Sequence, residues 1–133
     1  MLVIDTSVAA AWWFADEVTP ATEALLERVV AEGAVAPAVF PAEAANVLLQ
    51  AERRRRIATA LADRLLGILG GLPIEVEPPP RTPARALDLA RAHRLSVYDA
   101  MYLEVAIRRG LPLATLDGDL KRAARAAGVA TVP

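Results

Sequence analysis

The chain opens with a continuous apolar run, Leu2-Val3-Ile4, followed at once by the polar triplet Asp5-Thr6-Ser7. An unbroken apolar stretch of this length, with β-branched Val3 and Ile4, predicts a strand buried on both faces in the middle of a parallel sheet. The period then changes. Ser7 to Phe14 predicts a short helix. Thr19-Pro20 predicts the start of a second, because proline suits a first helical position. Leu25, Leu26, Val29 and Val30 recur there at helical spacing, and Gly33 ends the run. Ala34 to Val39 predicts a second strand. Pro41 predicts the opening of a third helix, from Ala42 to about Arg54, with Ala44, Val47, Leu48 and Ala51 as its apolar stripe.

The same alternation continues to the end. Ala58 to Leu69 predicts a fourth helix stopped by Gly70-Gly71, and Ile74-Glu75-Val76 a third strand. Pro78-Pro79-Pro80 reads as a rigid connector. Thr82-Pro83 opens a fifth helix through Ala92, and Ser96 to Arg109 a sixth, closed by Gly110. Leu113-Ala114-Thr115 predicts a strand, Asp117 to Ala127 a seventh helix closed by Gly128, and Val129 to Val132 a last strand. Strands that alternate with helices predict the α/β class. The expectation is one domain over residues 1–133, a central parallel sheet of about four to five strands flanked by about seven helices.

Composition narrows the chemistry. Hydrophobic residues make up 55% of the 133, enough for a full core and too many for a disordered chain. With no cysteine and a single histidine, His93, one chain cannot build a zinc site of nitrogen and sulfur ligands. His93 itself, near a helix C-terminus, reads as a surface or capping residue. The absence of cysteine permits an intracellular location, and a cytoplasmic protein is expected. Val8 to Ala15 is too short to span a membrane. Fifteen basic against sixteen acidic residues give a net charge of −1, which argues against a globally basic nucleic-acid binder. Lys121 is the only lysine. The arginine excess fits either phosphate gripping or codon usage in a GC-rich genome. The run Arg53-Arg54-Arg55-Arg56 likewise suits a helix C-terminus or a phosphate-contacting patch. Adjacent Trp12 and Trp13 cannot easily both face inward on a helix, so one of them is expected at an interface.

The acids change the picture most. Asp5 ends the first strand. Glu43 lies in the first turn of the third helix, Asp99 in that of the sixth, and Asp117 and Asp119 follow the Leu113–Thr115 strand. In a parallel α/β sheet, helix starts lie at the carboxyl edge of the strands, where ligands bind. All five can therefore converge on one edge. Singly, each also suits a helix N-terminus, and Asp117-Gly118 suits a turn. Carboxylates gathered in one cleft repel, and burying them unpaired is costly. A hard divalent cation resolves this, and oxygen-only ligands select Mg²⁺ or Mn²⁺. Such a cation can lower the pKa of a bound water and clamp a phosphate for in-line displacement. Asn46, one turn after Glu43, can share its face.

Four segments, taken together, resemble the PIN domain and, more narrowly, VapC-type toxins of toxin–antitoxin pairs. They are Val3-Ile4-Asp5-Thr6-Ser7, Pro41-x-Glu43-x-x-Asn46-Val47-Leu48, Leu95-Ser96-Val97-Tyr98-Asp99-Ala100-x-Tyr102-Leu103 and Leu113-Ala114-Thr115-Leu116-Asp117-x-x-Leu120. They span the chain in order. The resemblance implies that Asp5, Glu43, Asp99 and Asp117 form a metal-holding quartet. Thr6 or Ser7 and Thr115 would support it by hydrogen bonds, and Asp119 would be a less constant fifth acid; Asn46, by its position one turn after Glu43, is expected either to orient Glu43 or a water or to serve structure. The resemblance further implies RNA cleavage leaving 5′-phosphate and 3′-hydroxyl ends, a homodimer, and inhibition by a cognate VapB-type antitoxin in a higher hetero-oligomer. The Trp12-Trp13 helix is the candidate for part of an antitoxin-binding groove. Tyr98 and Tyr102, one turn apart, are expected to pack. Two rival readings stand beside this one. The first is a catalytically weak PIN-like module that binds a partner or nucleic acid. The second is a phosphatase with a nucleophilic aspartate, weakened because Ser7 stands where Asp-x-Asp needs a second acid.

Overall fold

Three-residue strands hold only when neighbours flank them, and the first apolar run has a neighbour on each side. The computed structural model describes residues 1–133. Five strands, β1 (Leu2–Ile4), β2 (Ala34–Ala36), β3 (Ile74–Val76), β4 (Leu113–Ala114) and β5 (Thr131–Val132), form one sheet in the order β3-β2-β1-β4-β5. Every pairing is parallel. Val3 lies opposite Val35 on one side and opposite Leu113 on the other. Helices cover the sheet, so Leu2, Val3, Ile4, Val35 and Leu113 are fully enclosed. The edge strand β3 is partly exposed, as its apolar–acidic–apolar sequence requires.

Seven helices follow the expected order: α1 (Thr6–Trp13), α2 (Pro20–Glu32), α3 (Phe40–Arg53), α4 (Thr59–Gly70), α5 (Ala84–His93), α6 (Val97–Arg109) and α7 (Gly118–Ala126). Their ends have local causes. Thr19 and Thr22 form a reciprocal capping box ahead of Pro20. Ser96 Oγ accepts the Asp99 N–H and starts α6. Gly110, at φ 64°, closes α6 in the left-handed region where glycine costs least. β2 is shorter than expected. Its ladder ends at Ala36 because Pro37 cannot donate, and α3 begins earlier, on buried Phe40. β5 also starts later than Val129. The Val129 N–H is taken up in closing α7, where it donates to the Ala124 carbonyl at 2.8 Å.

Two expectations about aromatic residues are corrected. Trp12 and Trp13 both pack against the core and are both half-buried, and Trp12 Nε1 donates to the Thr22 carbonyl at 2.8 Å. This bond ties α1 to α2 and uses the indole within the chain. Tyr98 and Tyr102 do not pack as a pair. Tyr102 is wholly buried and Tyr98 is 61% exposed.

The arginine run also resolves in part. Arg56 bonds Asp16 at 3.0 Å and lies 4.2 Å over the Phe14 ring, pinning the start of the α3–α4 connection to the loop after α1. Arg53, Arg54 and Arg55 are exposed. At the other side, Arg108 bonds Glu77 and Glu104, and Arg109 bonds Glu75, fastening β3 and its following loop to α6. No helix is long and apolar enough to cross a membrane.

Candidate active site

The strand order reverses direction at β1. The chain runs outward through β2 and β3, then returns to place β4 on the opposite side of β1. The crevice beyond the carboxyl ends of β1 and β4 is therefore the topological switch point, where open α/β sheets bind ligands. Asp5 follows β1 and Asp117 follows β4, so these two acids flank that crevice. Glu43, from α3, and Asp99, from the first turn of α6, approach it as well.

Asp5 is buried, 6% exposed. It occupies the cap position of α1, yet its carboxylate makes no capping bond. Its Oδ2 instead accepts two hydroxyls, Ser7 Oγ at 2.6 Å and Thr115 Oγ1 at 2.7 Å. Each hydroxyl oxygen in turn accepts a backbone N–H, from Leu116 at 3.0 Å and from Asp117 at 3.1 Å. Both hydroxyl protons are thereby aimed at one oxygen. The arrangement holds an acceptor-only carboxylate and stitches the end of β1 to the loop after β4. Burial pushes the Asp5 carboxyl above its ordinary range, and the Ser7 and Thr115 hydroxyls oppose the rise.

Glu43 is held by a separate set of donors. Tyr102 Oη donates to Glu43 Oε1 at 2.5 Å, and Thr6 Oγ1 lies 3.3 Å from the same oxygen and 2.8 Å from the tyrosine oxygen. Burial and the bond to Glu43 push the Tyr102 hydroxyl far above its usual range, so it stays a donor. Burial raises Glu43 too; Tyr102 opposes this, and Asp5 adds to it. Thr6 and Ser7, neighbours in sequence, thus serve different acids.

Asp99 is half-buried. Burial raises its carboxyl first, and the charges of Asp5 and Asp117 raise it further, with a smaller contribution from Asp119. The four expected acids are therefore close enough to act on one another. Asp117 is exposed and caps α7 through Oδ2, which accepts the Leu120 N–H at 2.8 Å. Asp119 is exposed and 3.7 Å from Arg122. Asn46 is exposed and makes no hydrogen bond to Glu43.

Sequence reasoning missed the role of Tyr102. It lies three residues after Asp99, on the same face of α6. That spacing was the available signal, but its partner comes from a helix 59 residues away.

The donor set is all oxygen, which fits Mg²⁺ or Mn²⁺. No three of these side chains close around one ion by themselves. The set therefore fits an ion that keeps several waters and takes one or two carboxylates, as Mg²⁺ does, and does not fit an all-protein cage.

Comparison with known proteins gives the family. No curated protein matches the chain by sequence. The fold is similar to that of PAE2754 from Pyrobaculum aerophilum, at 25% identity and a TM-score of 0.76, over 98% of this chain and 88% of that one. It is also similar to FitAcB from Neisseria gonorrhoeae, at 19% identity and a TM-score of 0.67, over 100% of this chain and 97% of that one. Residues 2–126 match the PIN domain, so the chain belongs to the PIN-domain family, whose members are generally nucleases.

Proposed function

We propose that this protein is a Mg²⁺- or Mn²⁺-dependent endoribonuclease, the VapC-type toxin of a toxin–antitoxin pair. The observation that carries this reading is the gathering of Asp5, Glu43, Asp99 and Asp117 at the switch point. Burial raises three of them there, like charge adds to the rise at Glu43 and Asp99, and no arginine or lysine is among the main influences on them. A bound divalent cation supplies neutralisation of the acids, activation of a water and stabilisation of charge at the scissile phosphate. Asp5, Asp99 and Asp117 would hold it directly or through water. Glu43 would hold it or orient the attacking water.

The remaining residues position these four. Ser7 and Thr115 both bond Asp5 through Oδ2, leaving Oδ1 without a side-chain partner. Tyr102 and Thr6 occupy Glu43 Oε1 in the same way. Asp119 and Asn46, both exposed, would act from outside this set. Cutting would leave 5′-phosphate and 3′-hydroxyl ends. A cytoplasmic VapB-type antitoxin and a homodimer complete the reading. Exposed Leu49 on α3 and Leu61, Leu66 and Ile68 on α4 support a partner on that helix pair.

The test is cleavage of a mixed RNA pool with Mg²⁺, with EDTA and with Asp99→Asn, sequencing the cut ends. Cutting that needs both the metal and Asp99 and leaves 5′-phosphates is expected. The exposed Arg53-Arg54-Arg55 run favours the second reading, a catalytically weak module that binds a partner or nucleic acid. Metal-loaded protein that binds RNA or an antitoxin but cuts nothing would establish that module instead.

A further inference from the structure

A recess runs along α6, and none of the four acids lines it. Its deeper part is a cavity of about 340 Å³ between the loop after β3, the start of α5 and the outer face of α6. That size suits a small organic group. Its outer part opens toward the start of α6, and the two share Pro80, Pro83 and Met101. Val97 and Tyr98 line the outer part.

We propose that this recess binds an unpaired nucleobase of the RNA strand, with Tyr98 as its stacking face and Arg85 as its phosphate contact. The proposal rests on the nuclease reading and names a subsite for its RNA. Four observations meet in it. Tyr98 leaves a ring 61% exposed, immediately before Asp99 in the chain. Tyr98 and Asp99 share the first turn of α6 but diverge from its axis, so a base stacked on Tyr98 would belong to the strand that crosses this turn toward the acids. The walls are proline rings and a methionine, fixed in place rather than recruited. Pro78-Pro79-Pro80 is rigid, and Arg108 clamps the loop at Glu77 at 2.7 Å. Charges are sorted along the recess. Arg108 is already neutralised by Glu77 and Glu104, whereas Arg85 is exposed with no ion-pair partner. Finally, a chain of net charge −1 with an acidic cleft cannot hold RNA by bulk electrostatics. Stacking, which every base permits, supplies affinity that the charge does not. A base paired inside a duplex cannot enter such a recess, so the site selects single strands.

The test measures anisotropy of a fluorescein-labelled single-stranded RNA of mixed sequence, roughly 12 nucleotides long, on the full chain carrying Asp5→Asn to prevent cutting. Adding Tyr98→Ala is expected to weaken binding about tenfold, and Tyr98→Phe by no more than about twofold. Arg85→Ala is expected to weaken binding and lower the salt slope by about one. A duplex of the same length should bind equally with and without the Tyr98→Ala change. Unchanged single-strand binding by Tyr98→Ala overturns the proposal, as does an equal loss for duplex. If sedimentation shows that Tyr98→Ala splits a dimer and the lost affinity follows that splitting, the recess is a face between copies and the proposal fails. The two readings separate cleanly. Metal-dependent cutting by wild type with Tyr98-independent binding removes the subsite alone. Tyr98-dependent binding without any cutting removes the nuclease alone.

Discussion

Asp5 and Glu43 are two carboxylates in one cleft, both raised by burial, and the fold holds them by opposite means. Asp5 is fixed by two short hydroxyls that are themselves fixed by backbone N–H groups after β4. Its geometry is set by the sheet. Glu43 is fixed by a phenol from α6 and a threonine from α1, so its geometry is set by how three helices pack. Small errors in sheet register are rare, because a slip turns every side chain over. Helix packing tolerates small shifts. Asp5 is therefore the rigid reference of the site, and Glu43 the acid whose position depends on the core around Tyr102.

The largest expected effect is at the rigid reference. Asp5→Asn should lower metal-dependent cleavage at least about a hundredfold, because the cation it would help to hold is worth several kcal/mol at the charged phosphate. The same change should raise the melting temperature of the metal-free protein by a few degrees and abolish the increment that Mg²⁺ adds. Calorimetry with and without metal reads both. A lower metal-free melting temperature would mean that Asp5 serves structure first.

Tyr102→Phe attacks the other arrangement without touching an acid. The ring still fills its place, but Glu43 Oε1 loses its buried donor and Thr6 Oγ1 loses the phenol oxygen beside it. The expected cost is about 1–3 kcal/mol of stability, and Mg²⁺ affinity should fall about ten- to a hundredfold, as when other outer-shell partners are removed. Titration of the metal by calorimetry separates the two. Unchanged metal affinity would reduce Tyr102 to a packing residue.

A finer break uses pairs. Ser7 and Thr115 share one acceptor oxygen, so Ser7→Ala and Thr115→Val should couple by at least about 0.5 kcal/mol in a double-mutant cycle. Ser7 and Tyr102 share none, and Ser7→Ala with Tyr102→Phe should add to within about 0.5 kcal/mol. Equal coupling in both cycles would show that the two arrangements act as one.

This division explains what could be read from the chain. β1, Asp5 and the start of α6 at Ser96 were legible because an apolar run and a capping serine are local signals. So were the helix ends at Gly33 and Gly110. The separation of Thr6 from Ser7 was legible in principle, since consecutive residues on a helix point in different directions. The role of Tyr102 was not legible, because a buried phenol at helical spacing looks the same whether or not a partner awaits it. Nor was the fate of Trp12, whose acceptor is a backbone carbonyl on the next helix. The end of β2 at Ala36 was within reach, because Pro37 forbids the expected extension to Val39. The recess along α6 depends on how the proline loop lies, which no periodicity encodes.

The smallest effect tests both acids together through pH. Asp5, Glu43 and Asp99 have folded-state values above their ordinary 3.8, 4.5 and 3.8. The folded metal-free protein thus binds protons more tightly than the unfolded chain at these sites. Their penalty is full above the raised values, shrinks as pH falls through them, and is gone below the ordinary values. Glu32 runs the other way. Its hydrogen bond from the N-terminal ammonium lowers it, so what it contributes is lost only as pH falls below its ordinary 4.5. Metal-free stability should therefore rise as pH is lowered from 7 toward about 5. With saturating Mg²⁺ the slope should reverse, because protons then compete with the metal for the same oxygens. Melting curves across that range, with and without metal, would show slopes of opposite sign. Asp5→Asn should flatten both. A metal-free slope that stays positive with pH would mean that the acids do not strain one another.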